Sequence, residues 1–367
     1  MKPFIPQTLP LKDIDWAILV PLIGSANASL ARYDGMLQSI VNPDVILSPL
    51  TTEEAVLSSR IEGTQISIEE VMEFEADPNE RIEPSKYSDI KEIVNYRFAI
   101  DAAIEKLKKR PLCLNLFKEL HKILLDSVRG KNKAPGEFRR VQNFVGPPGC
   151  SIEEATFVPP SPELIGPALD NWEKYLHYDE KDKLVQLAVA KAQFEIIHPF
   201  LDGNGRIGRM LIPVFLFEKG LLSSPMFYLS AYLEKERDVY YQRLQDISKT
   251  GAWNRWISFF LTAIIEQAES NIKKVNLILD LYEKMKKEVP RITHSQYAIQ
   301  AIDTMFSRPI FKSTDFIKRS GIPKGTAIRI LNTLRKEEII LDLRPKKGSR
   351  GATMVFFELM KLNTISD

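Results

Sequence analysis

A chain of 367 residues, 44% hydrophobic and 27% charged, has enough apolar mass for two or three domains with buried cores. No apolar run reaches the length of a membrane span and Met1-Lys2-Pro3 leads into no signal segment, so no membrane partner is expected and the location is read as cytoplasmic. Cys113 and Cys150 lack neighbours at metal-binding spacing, which fits a reducing compartment and not a disulfide framework.

The formal net charge of +2 hides an asymmetry. Residues 291–367 hold 14 Lys+Arg against 7 Asp+Glu, a surplus of +7, which leaves −5 for residues 1–290. The last eighty or so residues are therefore expected to do a different job from the rest. Four segments are expected: an N-terminal region 1–85, a core 86–235, a helical connector 236–289 and a C-terminal domain 290–367.

In chain order, residues 1–50 are punctuated by proline, with an amphipathic stretch from Trp16 to Ile23 and a helical run from Ala26 to Ile40. Thr51-Thr52-Glu53-Glu54 opens a helix with hydroxyl caps and an acidic first turn, and Gly63 closes it. Ser58 and Glu62, four apart, share a face of that helix. Taken alone, Glu62 is a surface carboxylate, slightly disfavoured by the negative helix C-terminus. After a charged loop from Ala76 to Pro84, helices are expected over Ser88 to Lys109 and Leu114 to Ser127, with His121 as a partly exposed residue of the second. Between Arg139 and Pro162 the helical rhythm breaks: β-prone Val141–Val145 and Ala155–Pro159 flank Gly146-Pro-Pro-Gly149 and read as a hairpin flap. A helix follows from Ser161, its candidate cap, to Tyr178, and His177 near its end reads as structural.

Leu184 to Ile197 is an apolar-periodic run that reads as a buried helix. It leads into His198-Pro-Phe-Leu-Asp-Gly-Asn-Gly-Arg-Ile-Gly-Arg209. Pro199 disfavours helical geometry at His198, so the helix should end with the imidazole at its tip. Gly203-Asn204-Gly205 can turn the chain tightly into a second helix, Ile207 to Phe217. N–H groups of such a turn and helix N-terminus converge as they do on phosphate. Arg206 and Arg209, three apart, can serve one polyanion, and Asp202 offers the hard oxygen that Mg2+ requires. The bland alternative is an ordinary helix connection with a solvated basic face.

Further helices are expected over Tyr228 to Ser248 and Trp253 to Lys287; Tyr240 and Tyr241 are aromatics that a nucleobase pocket could recruit, or simply core. The tail changes to short units: helices Gln296 to Phe306, Ser313 to Arg319 (capped by Ser313) and a basic Thr326 to Glu338. Strands Ile339–Leu343 and Met354–Leu359 then surround the loop 344–351. That order resembles a winged-helix domain, whose basic helix and wing would suit DNA; the alternative is a protein contact or dimerisation surface.

His198 to Arg206 matches the motif of the Fic family, His-Pro-Phe-x-(Asp or Glu)-Gly-Asn-(Gly or Lys)-Arg, at every specified position, and Ile207-Gly208-Arg209 fits its extended form. The chain thus resembles a Fic protein, mainly α: a Fic-type helical core with a β-hairpin flap, plus a C-terminal winged-helix domain. The resemblance implies transfer of AMP from ATP, with Mg2+, to a Ser, Thr or Tyr hydroxyl of a target protein or of the chain itself. It implies His198 as general base, Asp202 as metal ligand and Arg206 and Arg209 on the β- and γ-phosphates. Asn204 with the N–H groups of Gly203 and Gly205 would stabilise phosphate charge, and Phe200 would anchor the loop. Ser58-Ser-Arg-Ile-Glu62-Gly63 resembles the family's inhibitory motif, (Ser or Thr)-x-x-x-Glu-(Gly or Asn), whose glutamate pairs with the second arginine, here Arg209. The flap would pair with the target's backbone. Kinase-like Doc proteins carry lysine where this chain has Gly205, which leaves room for a β-phosphate. The alternatives are removal of AMP with Glu62 aligning a water, and a DNA-binding regulator with a nucleotide-sensing core. DNA through 290–367 and a second copy of the chain are the further partners considered.

Overall fold

The run Leu184–Ile197 folds as the helix Lys183–Ile197, buried at every position except Lys183 and Glu195. Asp182 caps it, accepting from the N–H groups of Leu184 and Val185 at 2.9 Å each. The indole N–H groups of Trp172 and Trp256 donate to the carbonyls of Ala190 (2.7 Å) and Ala188 (2.8 Å), tying two neighbouring helices, Pro162–Leu176 and Trp253–Thr293, to this central rod. Helices Leu114–Leu124 and Asn204–Glu218 pack on the same apolar interior. The computed structural model describes residues 2–78, 82–126, 130–147, 149–344 and 352–364. Its chain divides into two compact units: Met1–Gly35 with Leu57–Thr64 and Val94–Glu269, and Met36–Val56 with Gln65–Ile93 and Ser270–Asp367.

The two N-terminal runs expected from the sequence form one helix, Trp16–Ser39, which continues through Pro21 and whose residues up to Gly35 belong to the first unit. Buried Leu19, Ala26, Leu30 and Tyr33 supply its apolar face. Among the described residues, the expected hairpin between Val141 and Pro159 contains a single β-bridge, Val145 with Phe157. The Val145 N–H donates to Phe157 O at 2.8 Å, and Val145 O accepts from Phe157 N at 3.0 Å. Pairing stops there because Pro147 and Pro159 have no N–H to offer, and Ile152–Glu154 coils as a short 3-10 turn.

The second unit contains a helix that sequence analysis passed over, Ile68–Ala76, although Ser67 and Glu70 form a full capping box at its start. Its buried Met72 and Ala76 cluster with Ile310, Val355 and Met360. Three ion pairs surround that contact: Arg308 with Glu75 at 2.8 Å, Lys312 with Asp77, and Arg344 with Glu73. The tail runs helix Ala298–Ser307, strand Ile310–Lys312, helices Ser313–Ser320 and Lys324–Lys336, strands Leu341–Arg344 and Thr353–Val355, and helix Phe357–Thr364. The third strand lies between the other two, antiparallel to both, with Val355 opposite Ile310 and Leu341 and an irregularity between Asp342 and Arg344.

Three expectations for the tail need correcting. A strand that was not expected, Ile310–Lys312, precedes the second helix; three residues long, it is too short to show a period. The last strand ends at Val355, because Phe357 starts a helix whose Leu359 and Met360 are buried. Ser313 is the first residue of its helix and makes no cap; Lys312 stands at the cap position, with no side-chain bond. Residues 345–351 of the expected wing loop lie outside the described residues. Among the described residues no helix is long and apolar enough to cross a membrane.

Candidate active site

His198 ends the central helix in the left-handed region, φ 48° and ψ 58°. A side chain there costs about 1–2 kcal/mol, and Pro199 closes the right-handed alternative. The His198 N–H still completes the helix, donating to Phe194 O at 3.0 Å. Its Nδ1 lies 3.3 Å from Glu195 O, a carbonyl that can only accept, so Nδ1 carries the proton and Nε2 keeps its lone pair. Burial pushes the imidazole below its ordinary 6.5 and Arg139 assists, against the opposite pull of Glu195 and Glu62. The ring is therefore neutral at neutral pH.

The loop after it is stapled from inside. Asn204 Oδ1 accepts from Phe200 N at 2.8 Å and its Nδ2 donates to Phe200 O at 2.9 Å. Gly203 takes φ +78° to start the helix Asn204–Glu218, and its N–H donates to Asp202 Oδ1 at 2.6 Å. Arg206 Nη2 reaches the same oxygen at 3.3 Å. The Asn204 amide and the Gly203 N–H, expected on phosphate, are thus engaged with the loop itself: a buried amide must satisfy its own donors and acceptors first.

His121 is not the partly exposed residue expected. It is fully buried and stacks on Phe200 with ring centroids 3.8 Å apart. Gly136 N donates to its Nδ1 at 2.8 Å, so Nε2 is the protonated nitrogen and donates to Asp202 O at 2.9 Å. Burial lowers its pKa to about 4, so it stays neutral. Phe200, also buried, occupies the core as expected.

The helix Ser48–Ile61 brings Ser58 and Glu62 onto this motif across nearly 150 residues of chain. Arg209, 1% exposed, donates through Nη2 to Glu62 Oε1 at 2.7 Å and to Ser58 O at 2.7 Å, and through Nε to Ser58 Oγ at 2.8 Å. Gly63 takes φ +98° to end the turn, and Arg237 Nη2 holds Ile61 O at 2.8 Å. Glu62 lies so close over Gly205 that a Cβ there would be 2.1 Å from its Oε1. Burial raises the Glu62 carboxyl, but Arg209, bonded to it, and Arg206 and His198 outweigh that and hold it below 4.5.

Glu62, His198, Gly205, Arg209 and Tyr241 share a cavity of about 590 Å³ with the flap residues Val145 and Phe157. Asp202, Gly203, Asn204, Arg206, Ser58 and Gly63 are not among its lining residues; Ser58 reaches the site through its bonds to Arg209. Tyr240 also touches the cavity, but its hydroxyl accepts from the buried Lys191 Nζ at 2.7 Å, so it belongs as much to the core. Lys191 in turn pairs with Glu195 at 3.1 Å. A Cβ on Gly208 would meet Glu195 Oε1 at 2.4 Å. Overpacking costs about 1–3 kcal/mol, and the helix gain of Ala over Gly returns about 1 kcal/mol. Gly208→Ala should therefore lose about 1 kcal/mol, seen as a melting temperature about 2–4 °C lower. A higher melting temperature would mean that Glu195 yields freely.

Among the described residues no group of three or more acidic, His or Cys side chains could hold a metal, so Mg2+ would have to rest on Asp202 with substrate and water. Asp202 is 45% exposed, and one carboxylate with substrate phosphates and water satisfies this cation, so the residues fit it.

A helical scaffold that presents a histidine at a helix end and an arginine from the next helix to one cavity defines a class, and comparison with known proteins agrees. The Fic/DOC family N-terminal model matches residues 20–105 and the Fic/DOC family model matches residues 111–216. The chain belongs to the Fic/DOC family. It is 28% identical over 195 residues to a probable protein adenylyltransferase of Aquifex aeolicus, covering 52% of this chain and 56% of that one. It is 24% identical over 196 residues to protein adenylyltransferase Fic of Drosophila grimshawi, covering 52% and 35%. The chain thus spans about half the length, or less, of these curated relatives. In fold it is similar to a Fic family protein from Desulfovibrio desulfuricans G20, with TM-score 0.59, 18% identity and coverage of 97% and 98%. A Fic domain signaling protein from Bacteroides thetaiotaomicron gives TM-score 0.54 at 17% identity, covering 68% and 97%.

Proposed function

We propose that this chain is a protein adenylyltransferase, moving AMP from ATP to a Ser, Thr or Tyr hydroxyl of a target protein and restrained by Glu62. The observation that carries the reading is the cavity in which His198, with a free Nε2, and Arg209 meet beside Gly205. His198 Nε2 takes the acceptor's hydroxyl proton as the oxygen bonds to the α-phosphorus. The α–β bridging bond breaks and pyrophosphate leaves. Arg209 holds the γ-phosphate and Arg206 the β-phosphate, while the stapled turn keeps Gly205 close to them. Asp202 would hold Mg2+, which supplies charge neutralisation between phosphates when bound. In this reading Asn204 acts through the loop that it closes. The 14 tail cations are the basis for proposing DNA as a second partner, through a winged-helix arrangement of 290–367 in the cytoplasm.

Removal of AMP is the second reading, favoured by one observation: Glu62 stands over Gly205 in the same cavity as His198, where a carboxylate could align a water. Mass spectrometry of the full chain after incubation with Mg·ATP tests both. Addition of one AMP per modified hydroxyl, on the chain or an added acceptor, supports transfer. Loss of AMP from a premodified acceptor without any new labelling supports removal, and nucleotide binding without either sinks both.

A further inference from the structure

Arg139 takes no part in the chemistry above, yet its side chain is nearly sealed from solvent, 3% exposed. Its partners are all backbone carbonyls. Nε donates to His198 O at 2.9 Å, Nη2 to Pro160 O at 2.6 Å and Ile197 O at 3.4 Å, and Nη1 to Val141 O at 3.0 Å. Its own N–H donates to Pro199 O at 2.8 Å. Among the described residues no carboxylate lies within ion-pairing distance of it, and burial lowers the guanidinium to about 10. A buried cation without a counter-ion is costly, and only a rigid fork of five donors can satisfy so many separate carbonyls at once.

Those carbonyls come from two places. Ile197, His198 and Pro199 form the left-handed turn that carries the proposed base. Val141 and Pro160 lie on the two arms of the segment bridged at Val145 and Phe157, which lines the cavity beside His198. One side chain thus fastens the turn to both arms. We propose that Arg139 is a positioning residue: by tying the His198 turn to both arms of the flap, it sets the distance between the acceptor hydroxyl and Nε2. This rests on the transfer reading above, with the flap as the place where the target's backbone is held. The charges facing His198 are Glu195 and Glu62, which favour its protonated form, and Arg139, which opposes it.

The test uses the full chain carrying Glu62→Gly, with Arg139→Lys and Arg139→Met added in turn. Both should lower kcat toward a protein acceptor about tenfold to a hundredfold, because an ammonium or a thioether cannot hold both arms and the turn. The Mg·ATP dissociation constant, by calorimetry, should stay within about threefold, since the fork touches no phosphate-holding residue. The acid limb of kcat should rise toward 6.5 with Met, which removes the charge, and stay in place with Lys. Parent rates in both variants, or transfer and nucleotide affinity falling together, would overturn the proposal. If the Met form does not fold, the Lys form decides on kcat against nucleotide affinity. If the Glu62→Gly parent labels nothing, the transfer reading fails. NMR without turnover then decides the role of Arg139: shifts at both the His198 turn and the Val145 and Phe157 amides on Arg139→Lys support it, and no change at either overturns it.

Discussion

Replacing Glu62 by Gly should raise labelling of acceptor protein, and of the chain itself, on the order of a hundredfold, the loss in rate attached to about an ångström of misalignment at the reacting centre. Glu62 Oε1 occupies Nη2 of Arg209 at 2.7 Å, the donor that the γ-phosphate would need. A charge-assisted pair on a guanidinium that is 1% exposed is not screened by solvent as a surface pair is. Removing the carboxylate leaves the two bonds from Arg209 to Ser58, so the guanidinium stays in place but gains a free donor. Arg209→Ala should then lower the activity of the released form. Acid is not a substitute for the mutation. The Glu62 carboxyl is held below 4.5, so its contribution is complete above the ordinary carboxylate range and is lost only as the pH falls through that lowered value. Wild-type labelling should therefore stay low from neutral pH down to about 5. Equal labelling by wild type and Glu62→Gly would reduce the Ser48–Ile61 helix to scaffolding.

Replacing His198 by Ala, in the Glu62→Gly form, should lower transfer by about a hundredfold to ten-thousandfold, the range that a positioned general base supplies. Mg·ATP binding should survive, because in the proposed transfer reading Nε2 faces the acceptor and Arg206 and Arg209 take the phosphates. The pH profile offers an independent check. A base buried below its ordinary 6.5 gives an acid limb below that value, and loss of the Glu62 charge, which favours the imidazolium, moves the limb lower still. A limb above 6.5, or an Ala form as fast as its parent, would remove His198 from the role of base.

The chemistry-bearing stretch was legible because its information is local: Pro199 after His198 and Gly203 dictate their own turn geometry, and the structure adopts it, although the second helix starts at Asn204 and takes in Gly205, three residues before the expected Ile207. The buried helix before it shows in the length of its apolar run more than in a period, because with all but Lys183 and Glu195 buried it has almost no solvent face. The meeting of Glu62 with Arg209 was visible only through family resemblance, since no local rule joins residues 147 apart. His121, Arg139 and Arg237 escaped for a different reason. Each works by bonding to backbone carbonyls or amides of distant segments, and a carbonyl leaves no mark in a sequence. The tail's strands were read from apolar runs, but a three-residue strand has no measurable period, and the helix Phe357–Thr364 is as apolar at its start as a strand would be. The helix Ile68–Ala76 is the one loss that local rules could have prevented, through Ser67 and Glu70.

That acidic helix alters what the basic tail has to offer. Arg308, Lys312 and Arg344 belong to the 14 cations of residues 291–367, and their partners Glu75, Asp77 and Glu73 lie outside that segment. Subtracting these three from the surplus of +7 leaves +4. The chain thus carries its own competitor for polyanions, covalently attached and present at the concentration set by the fold. A phosphate backbone that sought those three cations would exchange one set of anions for another and release fewer small ions than the composition implies.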